Sequence, residues 1–347
     1  EEAGHRTISA VRIEAGVYQA PVRATRIARA AAMPAQAPVD VEFLDLPLLT
    51  GDEDPISPHV AVARSPWAGP VAVFSAANDY GYALDCQAKR PAVVGTLQGP
   101  LPAGKPGLWM GASVRVRLAS GALQSRNESD VLAGANAAAL RHGSMGDWEV
   151  VQFLKAELVA PKEYLLSGFL RGQAGTDAAI PEVWPEGTDF VLLDGAVGQI
   201  RLPSAARGRE RHFRVGPAVR AYNDPSYVHR VEVFAGVGLR PYRPVHLRAA
   251  RRGDGGIELS WVRRTRLDGD SWDGMDVPLG EEREEYLVQI LRGGAIVREA
   301  SCSAPRFLYP RAEQEEDEGA GGPLGFKVAQ VSVRFGPGPF ERVEFDG

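Results

Sequence analysis

The apolar residues of this chain come in short alternating runs, and glycine or proline separates them. Val41-Glu42-Phe43-Leu44, Val60-Ala61-Val62-Ala63, Val71-Ala72-Val73-Phe74, Ala92-Val93-Val94 and Ser113-Val114-Arg115-Val116-Arg117-Leu118 read as strands. Turn-forming stretches such as Gly51-Asp52-Glu53-Asp54-Pro55 and Gly99-Pro100-Leu101-Pro102-Ala103-Gly104 divide them. With 39 Gly and 26 Pro in 347 residues, turns are frequent enough to favour a mostly β, multi-domain chain of barrel or sandwich domains in series.

The longest strand-like stretch is Trp148-Glu149-Val150-Val151-Gln152-Phe153, continued by Ala156-Glu157-Leu158-Val159 and, after Pro161, by Tyr164-Leu165-Leu166-Ser167. Alternation puts Trp148, Val150 and Gln152 on one face and Glu149, Val151 and Phe153 on the other, apolar enough on both for a largely buried strand. Gly172 and Gly175 flank a tight bend in Leu170-Arg171-Gly172-Gln173-Ala174-Gly175-Thr176-Asp177. The whole is a hairpin scaffold, with Arg171 fixing loop carbonyls or pairing with a carboxylate such as Asp177.

Further strands are expected at Phe190-Val191-Leu192-Leu193, Gln199-Ile200-Arg201-Leu202 and Val231-Glu232-Val233-Phe234, while residues 131–140, rich in Ala, fit a short helix or a strand. Residues 7–13 alternate as a half-exposed strand, and the Ala/Arg segment 21–38 fits a short helix or a crossing linker. These breaks give an upstream strand and linker (1–38), a β-barrel-like domain (39–125), a second β-domain (126–238) and a last domain (241–347). The chain opens on Glu1-Glu2-Ala3-Gly4 without an initiator methionine, as a fragment or processed piece does.

Charge and chemistry narrow the function. Net charge is −5, which argues against bulk attraction to nucleic acid or anionic membranes. The clusters Arg23/Arg26/Arg29, Arg207/Arg209/Arg211/Arg214 and Arg251/Arg252 have no aromatic stacking platform and read as solvated surface. Cys86 and Cys302 are too far apart to imply a framework and read as free buried thiols. No apolar run approaches the roughly 18 residues that span a bilayer.

Candidate chemistry is sparse. Gly269-Asp270-Ser271 lacks the continuation of serine hydrolases; Asp268, Asp270, Asp273 and Asp276 offer carboxylate oxygens to a hard cation such as calcium but lack EF-hand spacing, and a solvated acidic loop beside Arg263, Arg264 and Arg266 is the plainer reading. Asp147 and Glu149 form an Asp-x-Glu pair on one strand face, of the kind a glycosidase uses, with polar strand-start positions as the plainer reading. His5, His59, His142, His212, His229 and His246 show no zinc spacing, and Gly319 to Gly322 lack the Lys-Ser/Thr of a phosphate loop. No catalytic, cofactor-binding or metal residue is assigned, no cofactor is expected, and the chain reads as a non-enzyme.

From residue 245 the pattern changes. Val245-His246-Leu247-Arg248-Ala249, Ile257-Glu258-Leu259-Ser260-Trp261, Tyr286-Leu287-Val288-Gln289-Ile290 and Phe326-Lys327-Val328-Ala329-Gln330-Val331, with a buried Trp ending the second strand, resemble a fibronectin type III sandwich. Phe326 stands where such domains commonly place a corner tyrosine. The acidic, Gly-rich segment 313–322 is expected to be a mobile, exposed loop.

Leu44-Asp45-Leu46-Pro47-Leu48-Leu49-Thr50-Gly51, Pro66-Trp67-Ala68-Gly69-Pro70, the run 148–176 and Trp261 to Tyr286 with Asp268-Gly269-Asp270-Ser271-Trp272 together resemble one family. It is the large tail-tip or host-specificity protein (the baseplate "megatron") of phage-like gene transfer agents, in its C-terminal portion. The resemblance implies a threefold baseplate assembly, contacts with hub and distal tail proteins, a host envelope receptor or polysaccharide, and a tail-tip location in a particle assembled in the cytoplasm and released. It implies a structural and host-contact role without catalysis in this portion. The alternatives are an envelope glycan-binding module or glycoside hydrolase, with Trp67, Trp109, Trp148, Trp184, Trp261 and Trp272 as sugar-stacking candidates, and a bacterial adhesin unrelated to phage.

Overall fold

The computed structural model describes residues 4, 8–11, 39–143, 146–269 and 277–345. Residues 37–347 form one compact unit; of the preceding residues, Gly4 and 8–11 are exposed and lie outside any element. The remaining part of the strand and linker expected over 1–38, including Arg23, Arg26 and Arg29, lies outside the described residues.

The first fifteen strands are β1 (Asp40–Leu44), β2 (His59–Ala63), β3 (Val71–Ala76), β4 (Ala83–Ala88), β5 (Val94–Leu97), β6 (Leu101–Pro102), β7 (Met110–Leu118), β8 (Ala137–Arg141), β9 (Glu149–Ala160), β10 (Glu163–Gln173), β11 (Val183–Trp184), β12 (Asp189–Leu192), β13 (Gly198–Gln199), β14 (Glu210–Pro217) and β15 (Val228–Val233). Six of them close a barrel in the order β10-β7-β5-β12-β8-β9. Closure leaves no open edge. The boundary expected between 125 and 126 falls inside this barrel, because β5 and β7 precede it and their partners β10 and β12 follow it. Pairing between strands distant in sequence leaves no local mark in composition, so the break at 125 read as a boundary.

Two further sheets are layered outside the barrel, the first on the barrel and the second on the first. One has the order β1-β2-β13 and the other β15-β14-β3-β4. Alternation in β2 explains the layering. Ala61 and Ala63 face the barrel and join Ala92, Ala139, Trp148 and Val191 in one core, where the small side chains permit close approach. Val60 and Val62 face the other way and pack with Val71, Val73, Phe213 and Val215. The barrel interior is filled by Val151, Phe153, Leu166, Phe169 and Phe190 among others, each such burial contributing about 1.5–3 kcal/mol.

Residues 131–140 supply both expected elements: α1 (Glu128–Leu132), capped by Asn127 accepting from the Asp130 amide at 2.8 Å, and then β8. The strand expected over 199–202 is shorter, ending at Gln199. Cys86 and Cys302 are free thiols, half-buried rather than buried.

The rest of the chain is a separate two-sheet sandwich. It consists of β16 (Val245–Arg251), β17 (Ile257–Val262), β18 (Tyr286–Arg292), β19 (Ala295–Cys302), β20 (Arg306–Tyr309), α2 (Arg311–Glu316), β21 (Leu324–Ser332), β22 (Gly336–Pro337) and β23 (Glu341–Phe345). One sheet runs β16-β17-β20; the other runs β19-β18-β21 with β23 on the far side of β21. This three-against-four arrangement is the strand order of a fibronectin type III sandwich. Trp261 packs edge-on against Tyr286 at 5.0 Å. Phe326 is fully buried against Tyr309 at 6.1 Å. The Tyr309 hydroxyl donates to Asp317 at 2.8 Å, so a hydroxyl from the preceding strand braces this connection. The segment 313–322, expected to be a mobile loop, instead begins in α2 and a following turn held by Arg298, which reaches Asp317 at 2.7 Å and Glu316 at 3.0 Å. Its acidic residues have a cation among them, which composition did not reveal.

Candidate functional site

The side chains singled out in the hairpin run are structural. Glu149 and Arg171 are both fully buried inside the barrel. Arg171 Nε donates to Glu149 Oε1 at 2.6 Å and Nη2 to Oε2 at 2.7 Å. The same carboxylate accepts from Trp184 Nε1 at 2.5 Å and from the Gly172 amide at 3.1 Å, and Arg171 also donates to the Pro102 carbonyl. Arg171 therefore fixes a loop carbonyl, but its carboxylate is Glu149 and not Asp177. Asp147 does not share a strand face with Glu149, because β9 begins at Glu149; Asp147 pairs with Arg240 instead. A carboxylate with four donors and no exposure has no oxygen left for a substrate.

Asp177 binds across the chain. It accepts from Arg243 at 2.9 Å and from Arg264 at 2.9 Å, its side chain 2 % exposed and those of the two arginines 27 % and 29 %. Arg243 belongs to the segment leading into the sandwich and Arg264 to the loop after its second strand, so the bend after β10 is clasped to the sandwich. Gly175 is left-handed there, and a Cβ on it would lie 2.3 Å from the Tyr242 ring. Arg207 adds a second contact, donating to the Ala235 and Arg334 carbonyls and lying 5.0 Å over the Phe335 ring. Asp45 makes a third joint: its carboxylate accepts the amides of Ala235 at 2.7 Å, Gly236 at 3.0 Å and Val237 at 2.8 Å. That holds the end of β1 to the connection between the two bodies.

An open cleft of about 470 Å³ lies beside Trp148, between the barrel and the β1 sheet. Glu42, Asp147, Asp189 and Glu232 line it together with Arg141 and Arg230. Alternation in β1 sends Val41 and Phe43 into the core and leaves Glu42 on the cleft side. Arg141 stacks over the Trp148 ring at 4.3 Å and stands 3.8 Å from Glu42. Burial, aided by the Asp189 charge, pushes the Glu42 carboxyl up to about 7. Burial also raises Asp189 and Glu232, with Arg141 opposing both shifts. The cleft can store a proton near neutral pH and attract cationic or polar groups. No Ser, Cys or His lines it among the described residues, so its chemistry is confined to carboxylates and arginines. Apart from Asp147, sequence reasoning did not single out these acids; the available signal was a lone glutamate in an otherwise apolar strand.

The other candidates separate. Asp268 lies in the loop after β17 with φ of 46°, whereas Asp270, Ser271, Trp272, Asp273 and Asp276 lie outside the described residues. Of the tryptophans, Trp148, Trp184 and Trp261 are buried core residues, and Trp67 packs on a core. Trp109 is 36 % exposed, its indole N–H donating to Glu128 at 3.0 Å.

Residues 92–191 match the family model described as Rcc01698-like, C-terminal. No curated relative matches the sequence. Among solved structures, domains d3-d4 of the rat CD45 extracellular region are similar at 13 % identity, covering 44 % of this chain and 72 % of that one, with a TM-score of 0.23. The FN1-FN3 domains of chicken CNTN1 are similar at 9 % identity, covering 89 % and 97 %, with a TM-score of 0.22. The fold assignment of the C-terminal sandwich rests on the strand order described above. The matched family segment coincides with the barrel, from the residues just before β5 to the middle of β12.

Proposed function

We propose that this chain is a structural and host-contact part of the tail tip of a phage-like particle, non-catalytic in this portion. One observation carries the reading: the acids of the motif series, Asp45, Glu149 and Asp177, are each committed to an internal joint. Asp177 holds the barrel-bearing body to the sandwich, Asp45 holds the end of β1 to the connection between them, and Glu149 locks the barrel. Buried, saturated charges of this kind fix one arrangement rather than serve a reaction. A stiff series of β-bodies suits a baseplate, where hub and distal tail proteins and further copies of this chain, as a trimer, are the proposed partners and the host envelope is the proposed target. The family match over residues 92–191 supports the same reading, since it covers the run that resembles tail-tip proteins.

Gold-labelled antibodies against residues 92–191, applied to purified particles, test this directly. Label clustered at the tail end is the expected result; label elsewhere, or particles assembled without the chain, overturns it.

A second reading, envelope glycan binding, draws on the exposed rings of Tyr80 and Tyr222 and the half-buried ring of Tyr82. Tyr82 and Tyr222 lie 5.3 Å apart, with Tyr80 74 % and Tyr222 38 % exposed. Aromatic faces beside polar groups suit sugar stacking. Glycan-array binding that disappears in Tyr222→Ala supports it, and peptidoglycan release lost in Glu42→Gln would point to hydrolysis.

A further inference from the structure

The outer face of the sheet β15-β14-β3-β4 gathers three ligand-bearing side chains that their spacing in sequence does not announce. Asp79, in the turn between β3 and β4, and His212 and His229 present one oxygen and two ring nitrogens within 4.8 Å of one another. Register explains the meeting. His212 stands opposite Val231, and Arg214 opposite His229, so the two histidines are diagonal neighbours on one face. His212 Nδ1 and His229 Nε2 are 3.1 Å apart, whereas the ring centres are 5.3 Å apart and the planes 11° from parallel. Nitrogens so much closer than ring centres mean that the rings meet edge to edge in nearly one plane, their nitrogens converging. Asp79 Oδ1 lies 3.8 Å from His229 Nε2.

Two nitrogens each about 2.0–2.1 Å from one tetrahedral ion are themselves roughly 3.3 Å apart, close to the separation found here. Two neutral imidazoles facing each other share a single proton; once the donor ring carries that proton on its other nitrogen, both facing nitrogens offer lone pairs to a cation. We infer that Asp79, His212 and His229 form a binding site for a divalent transition-metal ion of the zinc class, with further positions open to solvent. Imidazole donors favour zinc and its neighbours over calcium or magnesium, which require oxygen ligands. Asp79 is held in place by two donors, since Arg214 Nη2 donates to its Oδ1 at 2.8 Å and the Tyr82 hydroxyl donates to the same oxygen. Such outer partners orient a ligand. The Arg214 charge opposes the ion and sets a moderate affinity. The site is independent of the tail-tip reading.

Calorimetric titration of the full chain with Zn²⁺ near neutral pH tests it. The expected result is one saturable equivalent, weakened about tenfold or more in each of His212→Ala and His229→Ala and tightened in Arg214→Gln. No saturable equivalent, or affinity within about twofold of the parent in both histidine variants, overturns the site. Should the variants fail to fold by circular dichroism, ¹⁵N imidazole spectra of the unmodified chain decide. Zn²⁺ must then move the His212 and His229 signals and leave His59 and His142 in place; unmoved His212 and His229 signals overturn it.

Discussion

Asp177 and Arg264 meet at 2.9 Å although 87 residues separate them, and this contact, with Arg243 beside it, joins the barrel to the sandwich. The Asp177 side chain is almost fully buried while each arginine side chain keeps about a quarter of its surface in water, so part of the attraction is screened.

Asp177→Ala is therefore expected to cost about 1–3 kcal/mol, below the full cost of opening a buried pair. Its diagnostic effect is on cooperativity. Urea unfolding should split into two transitions, and small-angle scattering should report a larger radius of gyration. One unchanged transition would show that the other joints suffice.

Glu149→Gln is expected to cost about 3–5 kcal/mol, because it leaves Arg171 charged inside the barrel. Arg171→Met alone should be comparably harmful, and the double substitution less harmful than the sum of the two. Urea midpoints for the cycle measure this, and strict additivity would show that the two groups do not act as a unit.

Glu42 makes stability depend on pH in a direction opposite to a salt-bridged acid. Its folded carboxyl titrates at about 7 against an ordinary 4.5, so the folded chain holds this proton more tightly than the unfolded one. The contribution is fully present below about 4.5 and is lost as pH rises through about 7. Asp189 and Glu232, also raised, act in the same sense. Thermal unfolding of Glu42→Gln across this window should show a flatter profile and a gain of about 1 kcal/mol at alkaline pH, the figure discounted for the open cleft. A profile parallel to that of the parent would contradict the assignment.

The layers of the fold were legible wherever alternation was clean. In β2 the alanines and valines sort onto opposite faces, and the strand and both its contacts follow from that. Strand β14 escaped because Glu210, Arg211, His212 and Arg214 mask the buried apolar side chains of Phe213 and Val215, so a core strand read as a basic surface cluster. Arg171 was legible as a structural arginine; its partner was not, because only the register of β9 against β10 brings Glu149 beside it. The His212 and His229 pair was invisible for the same reason, a diagonal across two strands having no fixed spacing in sequence. The cleft around Glu42 draws on β1, β8, β12 and β15, which no local pattern connects.

Closure of the barrel has a consequence for how the chain is made. As synthesis proceeds, β5 and β7 emerge well before β10 and β12, and β3 waits for β14, its partner from residue 210 onward. Until then the nascent chain presents strand pairs with an open edge, the condition in which β-rich chains fold slowly and associate wrongly. The C-terminal sandwich, whose strands among the described residues pair with one another, can form at once when it appears. Folding of residues 39–345 should therefore be limited by the barrel and the sheets layered on it, not by the sandwich that follows them.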